Sequence, residues 1–218
     1  MYKDAASLLR SDIERRNRGL LRAGKDPVQP PYTIEDVQQA LRQINGVDYR
    51  KRQTILPGVA VRFLDAGHIL GSAIVELWLD EGKELRKLVF TGDLGNSYAP
   101  LMNDPDIVTE ADILLLESTY GDRNHRPVET TLDEFKDIIE NASSAGGNIL
   151  IPAFAVGRTQ DLIYWLGQLY HKGQLNGQKV FIDSPMAIQV SDVYERHHQL
   201  FNEDDPHFRS FVKQGWDK

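Results

Sequence analysis

Hydrophobic and polar residues alternate with a period of two along residues 58–67, which read GVAVRFLDAG. The same alternation runs through residues 72–93, SAIVELWLDEGKELRKLVFTGD, and is interrupted near its centre by Glu81 and Gly82. This period is typical of strands that bury one face, and a short turn containing glycine joins antiparallel neighbours. The pattern therefore predicts a strand followed by a β-hairpin around Glu81 and Gly82.

Helix-like patterns precede these strands. Residues 4–23 place Ala, Leu and Ile among charged side chains, and residues 32–44 do the same after a segment that contains three prolines. Thr33 stands three residues before Asp36, a spacing typical of the capping box at a helix N-terminus. Two helices joined by a proline-rich linker are therefore expected before the first strand.

The pattern changes near residue 121, where strand-like and helix-like segments begin to alternate. Short apolar runs predict buried strands at 111–119, 147–154 and 178–185, and longer periods predict helices at 131–146, 156–170 and 186–201. Strands that alternate with helices favour parallel βαβ units. We therefore predict an α/β chain with one domain over 1–121 and a second over 122–218.

Composition narrows the class of protein. Hydrophobic residues make up 41% of the 218 residues and charged residues 26%, a balance typical of globular proteins. No apolar run reaches the roughly 18 residues of a membrane span, so we expect no membrane association. The absence of Cys excludes disulfides and thiolate zinc sites, and it fits a reducing, cytoplasmic location.

The net charge of −7 is distributed unevenly. Residues 1–62 carry 12 Lys and Arg against 7 Asp and Glu, whereas residues 63–218 carry 13 against 25. A basic arm on an acidic body is one arrangement that contacts nucleic acid. The alternative is an ordinary solvated helical surface, and charge alone does not separate the two.

Three side chains stand where strands are predicted to end. His68 lies between two glycines that allow a sharp turn, Asp93 follows an apolar strand on a glycine-containing turn, and Glu117 ends the run DILLLE. Imidazole and carboxylate groups at such positions ligate metals, and functional carboxylates collect at strand ends. The alternatives are a hydrogen-bonded surface histidine, an Asx turn at Asp93 and a carboxylate that caps its own loop.

Two further segments suit a phosphate group. Gly157 and Arg158 lie between a predicted strand and a helix, and Ser184 occupies the corresponding place one unit later. Backbone N–H groups and a guanidinium at a helix N-terminus bind anions, although both segments also fit ordinary helix caps. The five remaining histidines are predicted to be surface residues: His125, His171, His197, His198 and His207.

Five segments in order carry a resemblance to a known family: DAGHILGSA, TGDLG, LLLESTYGDR, IPAFAVGRTQDLIYWL and FIDSPMA. Together they resemble the metallo-β-lactamase-fold RNA nucleases of the β-CASP group, which includes RNase J and the endonuclease of pre-mRNA 3′-end processing. The resemblance extends from about residue 32 to residue 200. It implies an αββα sandwich domain followed by a β-CASP cap domain, with RNA as the substrate.

The resemblance also implies roles for individual residues. By motif, His68 corresponds to a ligand of one of two zinc ions (Zn2+), and Asp93 to the carboxylate that bridges both. Glu117 corresponds to the first acidic residue of the cap motifs, which orients a histidine of the cap. Gly157, Arg158 and Ser184 remain the candidates for phosphate binding.

The chain departs from the family pattern at both ends. The family's main ligand cluster reads His-x-His-x-Asp-His, yet residues 1–67 contain no histidine, and no later cap histidine motif follows FIDSPMA. Zinc sites normally take at least three protein ligands, so His68 and Asp93 alone predict an inactive isolated chain. We expect an internal portion of a nuclease, a partial sandwich with part of a cap, that self-associates, is partly disordered or pairs with the missing segments.

Two alternatives remain open at this point. One is a non-catalytic β-CASP-like module that binds RNA or an active nuclease partner. The other is a metallo-β-lactamase-fold hydrolase of thioesters or lactams, which the segments PAFAVGRTQ and DSPMA disfavour.

Overall fold

The computed structural model describes residues 1–97, 99–175 and 177–201. The chain divides into two compact units, of which the first is Met1–Val47 and the second begins at Asp48. The first unit contains helices α1 (Tyr2–Arg22) and α2 (Ile34–Leu41), which confirms the two predicted helices.

Local hydrogen bonds shape the first unit. The hydroxyl of Thr33 accepts from the backbone N–H of Asp36 at 3.3 Å, and the Asp36 carboxylate accepts from the N–H of Thr33 at 2.8 Å. This capping box confirms the predicted start of α2, and the bonds from Thr33 lower the pKa of Asp36. The side chain of Asn17 pairs with both backbone groups of Val28, which fixes the proline-rich linker against α1.

The described residues of the second unit form one five-stranded sheet in the order β1-β2-β3-β4-β5. Its strands are β1 (Gln53–Leu56), β2 (Val59–Asp65), β3 (Ala73–Asp80), β4 (Leu85–Phe90) and β5 (Ile113–Leu115). The first four strands pair antiparallel, and β5 pairs parallel to β4. The predicted hairpin is confirmed, because β3 and β4 meet at a turn in which Gly82 has a φ of 82°.

One face of the sheet covers a small core. Leu64, Ala66, Ile74 and Val89 are buried there against the loops that leave the sheet. The same face also buries Glu76, which is only 1% exposed. A buried carboxylate needs partners of opposite charge, and it ion-pairs with Arg62 of β2 and with Lys87 of β4, the latter at 2.7 Å.

Up to residue 201, where the description ends, three helices and a short 3₁₀ turn follow the sheet. They are α3 (Val128–Ser144), α4 (Arg158–His171), α5 (Pro185–Arg196) and the turn His198–Leu200. A second core packs α4 and α5 against the loop after β4, with buried side chains Leu101, Met102, Tyr164, Tyr194 and Phe201. The hydroxyl of Ser191 in α5 accepts a bond from buried Gln160 of α4 at 3.0 Å.

Two of the predicted buried strands are wrong. Residues 147–154 and 178–184 form no strand, and Leu150 (93%) and Phe181 (82%) are among their most exposed side chains. Residue Pro185 of the second predicted strand begins α5 instead. A strand exists only where a neighbour completes its hydrogen bonds, and the described residues add no sixth strand beside these segments.

The prediction at residues 111–119 is confirmed for the strand and wrong for its burial. β5 is three residues long, lies at the edge of the sheet and is exposed along its whole length. The mixed α/β class is confirmed, but the partial αββα sandwich and the domain boundary at residue 121 stay predictions. Within the described residues, no helix is both long and apolar enough to cross a bilayer.

Candidate active site

His68 lies in the connection between β2 and β3, residues 66–72, which we call the His68 loop. The Asp65 carboxylate accepts from the N–H of Gly67 at 2.8 Å, and the Ser72 hydroxyl accepts from the N–H of His68 at 3.1 Å. Gly67 has a φ of 65°, a conformation that other residues rarely adopt. This tight turn leaves the His68 side chain exposed.

Asp93 lies in residues 91–95, the Asp93 loop, directly after β4. The N–H of Gly95 donates to the carbonyl oxygen of Ala66 at 2.8 Å. A Cβ atom at Gly95 would lie 1.8 Å from the carbonyl oxygen of Gly67, so only glycine fits there. The Asp93 loop and the His68 loop are therefore in direct backbone contact, and the Asp93 side chain is exposed beside it.

Glu117 follows β5 and binds the Asp93 loop. Its carboxylate accepts from the N–H of Leu94 at 2.9 Å and from the N–H of Thr119 at 3.3 Å. Its own N–H donates to the Thr91 hydroxyl at 3.3 Å. The bond from Leu94, then those from Thr119, and the nearby positive charge of His68 lower the pKa of Glu117.

The helices α4 and α5 contact the His68 loop from another direction. The buried Tyr194 of α5 accepts a bond from the N–H of Leu70 at 3.2 Å through its hydroxyl. At the start of α4, a Cβ atom on Gly157 would lie 2.7 Å from Cγ2 of Ile69, and Gly157 has a φ of 79°. The glycine thus allows the helix N-terminus to approach the loop that carries His68.

Sequence reasoning missed Asp161, in the first turn of α4. Burial raises the pKa of Asp161 to about 6, although the charges of Arg158 and His68 favour its ionised form. Its carboxylate lies 3.8 Å from Nη1 of Arg158. The spacing of three residues from Arg158 was the available signal, because residues three apart on a helix are neighbours.

The three residues predicted to bind phosphate differ in how far their polar groups are already hydrogen-bonded within the protein. The N–H of Gly157 donates to the Gln160 side chain at 2.8 Å, and the Ser184 hydroxyl accepts from the N–H of Ala187 at 3.2 Å. Both arrangements are helix caps, which the sequence analysis gave as the alternative. Arg158 is 67% exposed and keeps most of its donors in solvent. Phosphate binding at these residues stays a prediction.

The predicted zinc site depends on how many ligand side chains the structure brings together. His68 and Asp93 offer an imidazole and a carboxylate, the kinds of ligand that zinc takes, but a zinc site needs at least three. Across residues 1–97, 99–175 and 177–201, no group of three or more His, Asp or Glu side chains is placed to hold a metal. The two side chains therefore fit a share of a ligand set and do not make a complete site.

The remaining histidines are exposed where the structure describes them, which confirms their prediction as surface residues. The ring of His125 also packs against the ring of Tyr120, with centroids 3.8 Å apart. The prediction for His207 lies outside the described residues.

Comparisons with known proteins agree with the motifs. The family described as the Beta-Casp domain matches residues 159–216. The chain is 40% identical over 176 residues to ribonuclease TTHA0252 of Thermus thermophilus, covering 81% of this chain and 39% of that relative. It is 31% identical to transcription termination factor FttA of Methanocaldococcus jannaschii, covering 96% and 33%.

A third relative is similar over most of the chain. Endoribonuclease YSH1 of Eremothecium gossypii is 31% identical over 201 residues, which are 90% of this chain and 25% of that protein. The chain thus spans between a quarter and two fifths of the length of these relatives.

Proposed function

The chain belongs to the β-CASP group of metallo-β-lactamase-fold RNA nucleases, and we propose that it is a portion of a zinc-dependent enzyme that hydrolyses RNA phosphodiester bonds. Nucleases of this group are metal dependent. In the proposed protein, His68 and Asp93 supply part of the zinc ligand set, and the other ligands come from outside the described residues. When bound, the metal would supply the electrostatic activation of phosphodiester hydrolysis.

One observation carries this proposal. The His68 loop and the Asp93 loop meet through the Gly95 N–H and the Ala66 carbonyl, at 2.8 Å. Two candidate ligands from separate motifs thereby lie on adjacent turns that a backbone hydrogen bond joins directly. Glu117 joins the same assembly through Leu94. We propose Glu117 as a residue that fixes the Asp93 loop, since both of its oxygens accept backbone bonds.

The isolated chain is proposed to be inactive, and its partners are RNA together with the missing nuclease segments or a second copy of the chain. The exposed apolar segments at 147–154 and 178–184 support association, because large exposed apolar side chains favour it. A cytoplasmic location remains our expectation from the absence of Cys.

The decisive experiment measures RNA cleavage with zinc present by a longer chain that carries an upstream His-x-His-x-Asp-His segment. We expect cleavage by the longer chain and none by the 218-residue chain. His68→Ala and Asp93→Ala in the longer chain should abolish cleavage, and His171→Ala, at an exposed helix end, should not. A zinc-loaded longer chain that leaves RNA intact would contradict the proposal.

The second candidate function is a non-catalytic module that binds RNA or a nuclease partner. It is supported by the excess of Lys and Arg over Asp and Glu in residues 1–62, 12 against 7, because basic segments favour contact with RNA. Bound zinc per chain, measured by elemental analysis after dialysis against dilute zinc, should be near zero for either function in this chain. Cleavage by the longer chain decides between them.

A further inference from the structure

A cluster of three exposed side chains follows Glu117 on the same loop and has no role in the site described above. The Tyr120 ring packs against the His125 ring at 3.8 Å with an interplanar angle of 37°, and the guanidinium carbon of Arg123 lies 5.0 Å from the Tyr120 ring centroid. Tyr120 is 48% exposed, and both of its partners are exposed as well. We call these three residues the Tyr120 stack.

The loop that carries the stack is fixed at its start. The N–H of Gly121 donates to the Ser118 carbonyl at 3.0 Å, and the N–H of Arg123 donates to the Tyr120 carbonyl at 3.4 Å. The Glu117 carboxylate binds both this loop and the Asp93 loop. The rings therefore stand on a turn that is hydrogen-bonded directly to the candidate active site.

The charges of the stack are available to a ligand. Within the described residues, Arg123 and His125 form no ion pair, whereas nearby Arg126 pairs with Glu134 at 2.6 Å. The carboxylate of Asp122 is the one acid in residues 118–127, so the run is positively charged overall. A guanidinium without a carboxylate partner retains its donors for a phosphate.

We propose that the Tyr120 stack is a binding platform for single-stranded RNA, on which an unpaired base packs against the aromatic rings while Arg123 contacts a backbone phosphate. Exposed aromatic and guanidinium planes are the groups on which proteins stack unpaired bases, and such stacking tolerates any base. This inference rests on the proposed function and extends it, because it names residues that hold the strand beside the cleavage site.

The chain offers a matched control in α4. Tyr170 and His171 also form an exposed aromatic pair, with centroids 5.7 Å apart and ring planes at 67°. Tyr170 is 69% exposed, and the described structure places no cation over its ring. If any exposed Tyr–His pair contributed to RNA affinity, substitutions at Tyr120 and at Tyr170 would both weaken binding. The platform predicts weaker binding for the Tyr120 substitution alone.

The test measures binding of a short fluorescein-labelled oligoadenylate to the 218-residue chain by fluorescence anisotropy. Tyr120→Leu should weaken binding roughly 5- to 100-fold, because one stacked base is lost. Tyr120→Phe keeps the ring and should bind like wild type, as should Tyr170→Leu. Arg123→Gln should lower the slope of log affinity against log salt by about 0.7, the value for one phosphate contact on a single strand.

An abasic oligomer separates stacking from charge. On it, Tyr120→Leu and wild type should bind equally, while Arg123→Gln should still be weaker. Equal binding of Tyr120→Leu and wild type to oligoadenylate, or no binding by wild type at low salt, would overturn the platform. Neither result would affect the proposed function, which is decided by cleavage in the longer chain. Thermal unfolding of each variant verifies that the fold is retained.

Discussion

The sheet and the region that follows it contain similar apolar sequences but use them differently. Strands β2, β3 and β4 are joined by short turns, and each finds its antiparallel neighbour next along the chain. Segments 147–154 and 178–184 are separated by the whole of α4, and neither forms a strand. Antiparallel pairs need only a local turn, whereas parallel pairs need a crossover and a neighbour remote in sequence.

Burial follows the same division. In the sheet, Leu64 and Val89 are buried within the strands themselves. In the later region, Leu150 and Phe181 are almost fully exposed, and the buried side chains come from the helices, with Tyr164 and Tyr194 at the centre. An apolar run therefore predicts a buried segment only where the structure that would pack against that segment is also present.

The largest expected effect tests how strongly the sheet depends on its buried charge. Glu76→Gln should lower the free energy of unfolding by about 3 kcal/mol, because Lys87 and Arg62 would lose the buried carboxylate between them. Glu84→Gln removes a similar pair with Arg86 at the surface and should cost at most about 0.5 kcal/mol. Urea unfolding of both variants provides the comparison, and equal losses would contradict it.

The Glu76→Gln variant should also change how the free energy of unfolding depends on pH. Burial raises the pKa of Glu76, but the bonds and charges of Arg62 and Lys87 outweigh burial and hold the pKa below the ordinary value of a glutamate. Its stabilising contribution is therefore present above pH 4.5 and is lost as pH falls through the lowered folded-state pKa. Glu76→Gln should reduce this acid-dependent loss of stability in urea titrations at several pH values.

The next effect tests the contact between the two candidate ligand loops. Gly95→Ala places a Cβ atom against backbone and should cost about 2 kcal/mol or more in the free energy of unfolding. Gly147→Ala is the control, since its nearest neighbour, the Ala142 carbonyl oxygen, lies at 3.9 Å. Calorimetry should show a large decrease in unfolding temperature for the first variant only, and a similar decrease for both would refute close packing at Gly95.

A smaller effect belongs to the helical region. Gln160 is 1% exposed and bonds to the N–H of Gly157, the carbonyl of Ala155 and the hydroxyl of Ser191. Gln160→Leu should cost about 1.5 kcal/mol, because buried polar groups lose their partners. Hydrogen exchange should accelerate in α4 and α5 and remain unchanged in the sheet, if the two regions open independently.

The control for that experiment is Gln189→Leu, an exposed glutamine of α5 that should leave exchange in both helices unchanged. Equal acceleration in the sheet for Gln160→Leu would show that the two regions unfold as one.

The smallest effect tests the link between the regions. Tyr194→Phe removes only the hydroxyl that accepts from Leu70 and should cost about 1 kcal/mol. The Leu70 amide should exchange faster while its neighbours in β3 keep their protection. Tyr170→Phe, at an exposed position, should leave every amide unchanged. An unaltered Leu70 amide in the Tyr194 variant would show that α5 does not hold the His68 loop.

Local sequence rules predicted three of the four antiparallel strands and missed β1. The period of two found β2, β3 and β4, and the pair Thr33 and Asp36 marked the start of α2. The same rules failed for segments 147–154 and 178–184, because an apolar run does not reveal whether a remote neighbour will pair with it. The sequence predicted that β5 is a strand, but it did not predict that this strand is exposed at the edge of the sheet.

The sequence indicated which residues form the candidate site, but it indicated few of the contacts that hold them in place. His68, Asp93 and Glu117 follow strands, so their proximity at one edge of the sheet could be expected. The contact of Tyr194 with Leu70 joins residues 124 positions apart, and no local pattern indicates it. The stacking of His125 on Tyr120 was missed for a related reason, since both lie in an irregular loop whose rings meet only in three dimensions.

The backbone contact at Gly95 has a consequence for how this protein tolerates change. The two loops that carry His68 and Asp93 are joined by a main-chain hydrogen bond and a glycine, and neither candidate ligand side chain takes part. Substitutions at His68 or Asp93 therefore alter the donor set without loosening the turns that present it. The geometry of the two turns and the identity of the side chains that they present can thus vary independently of each other.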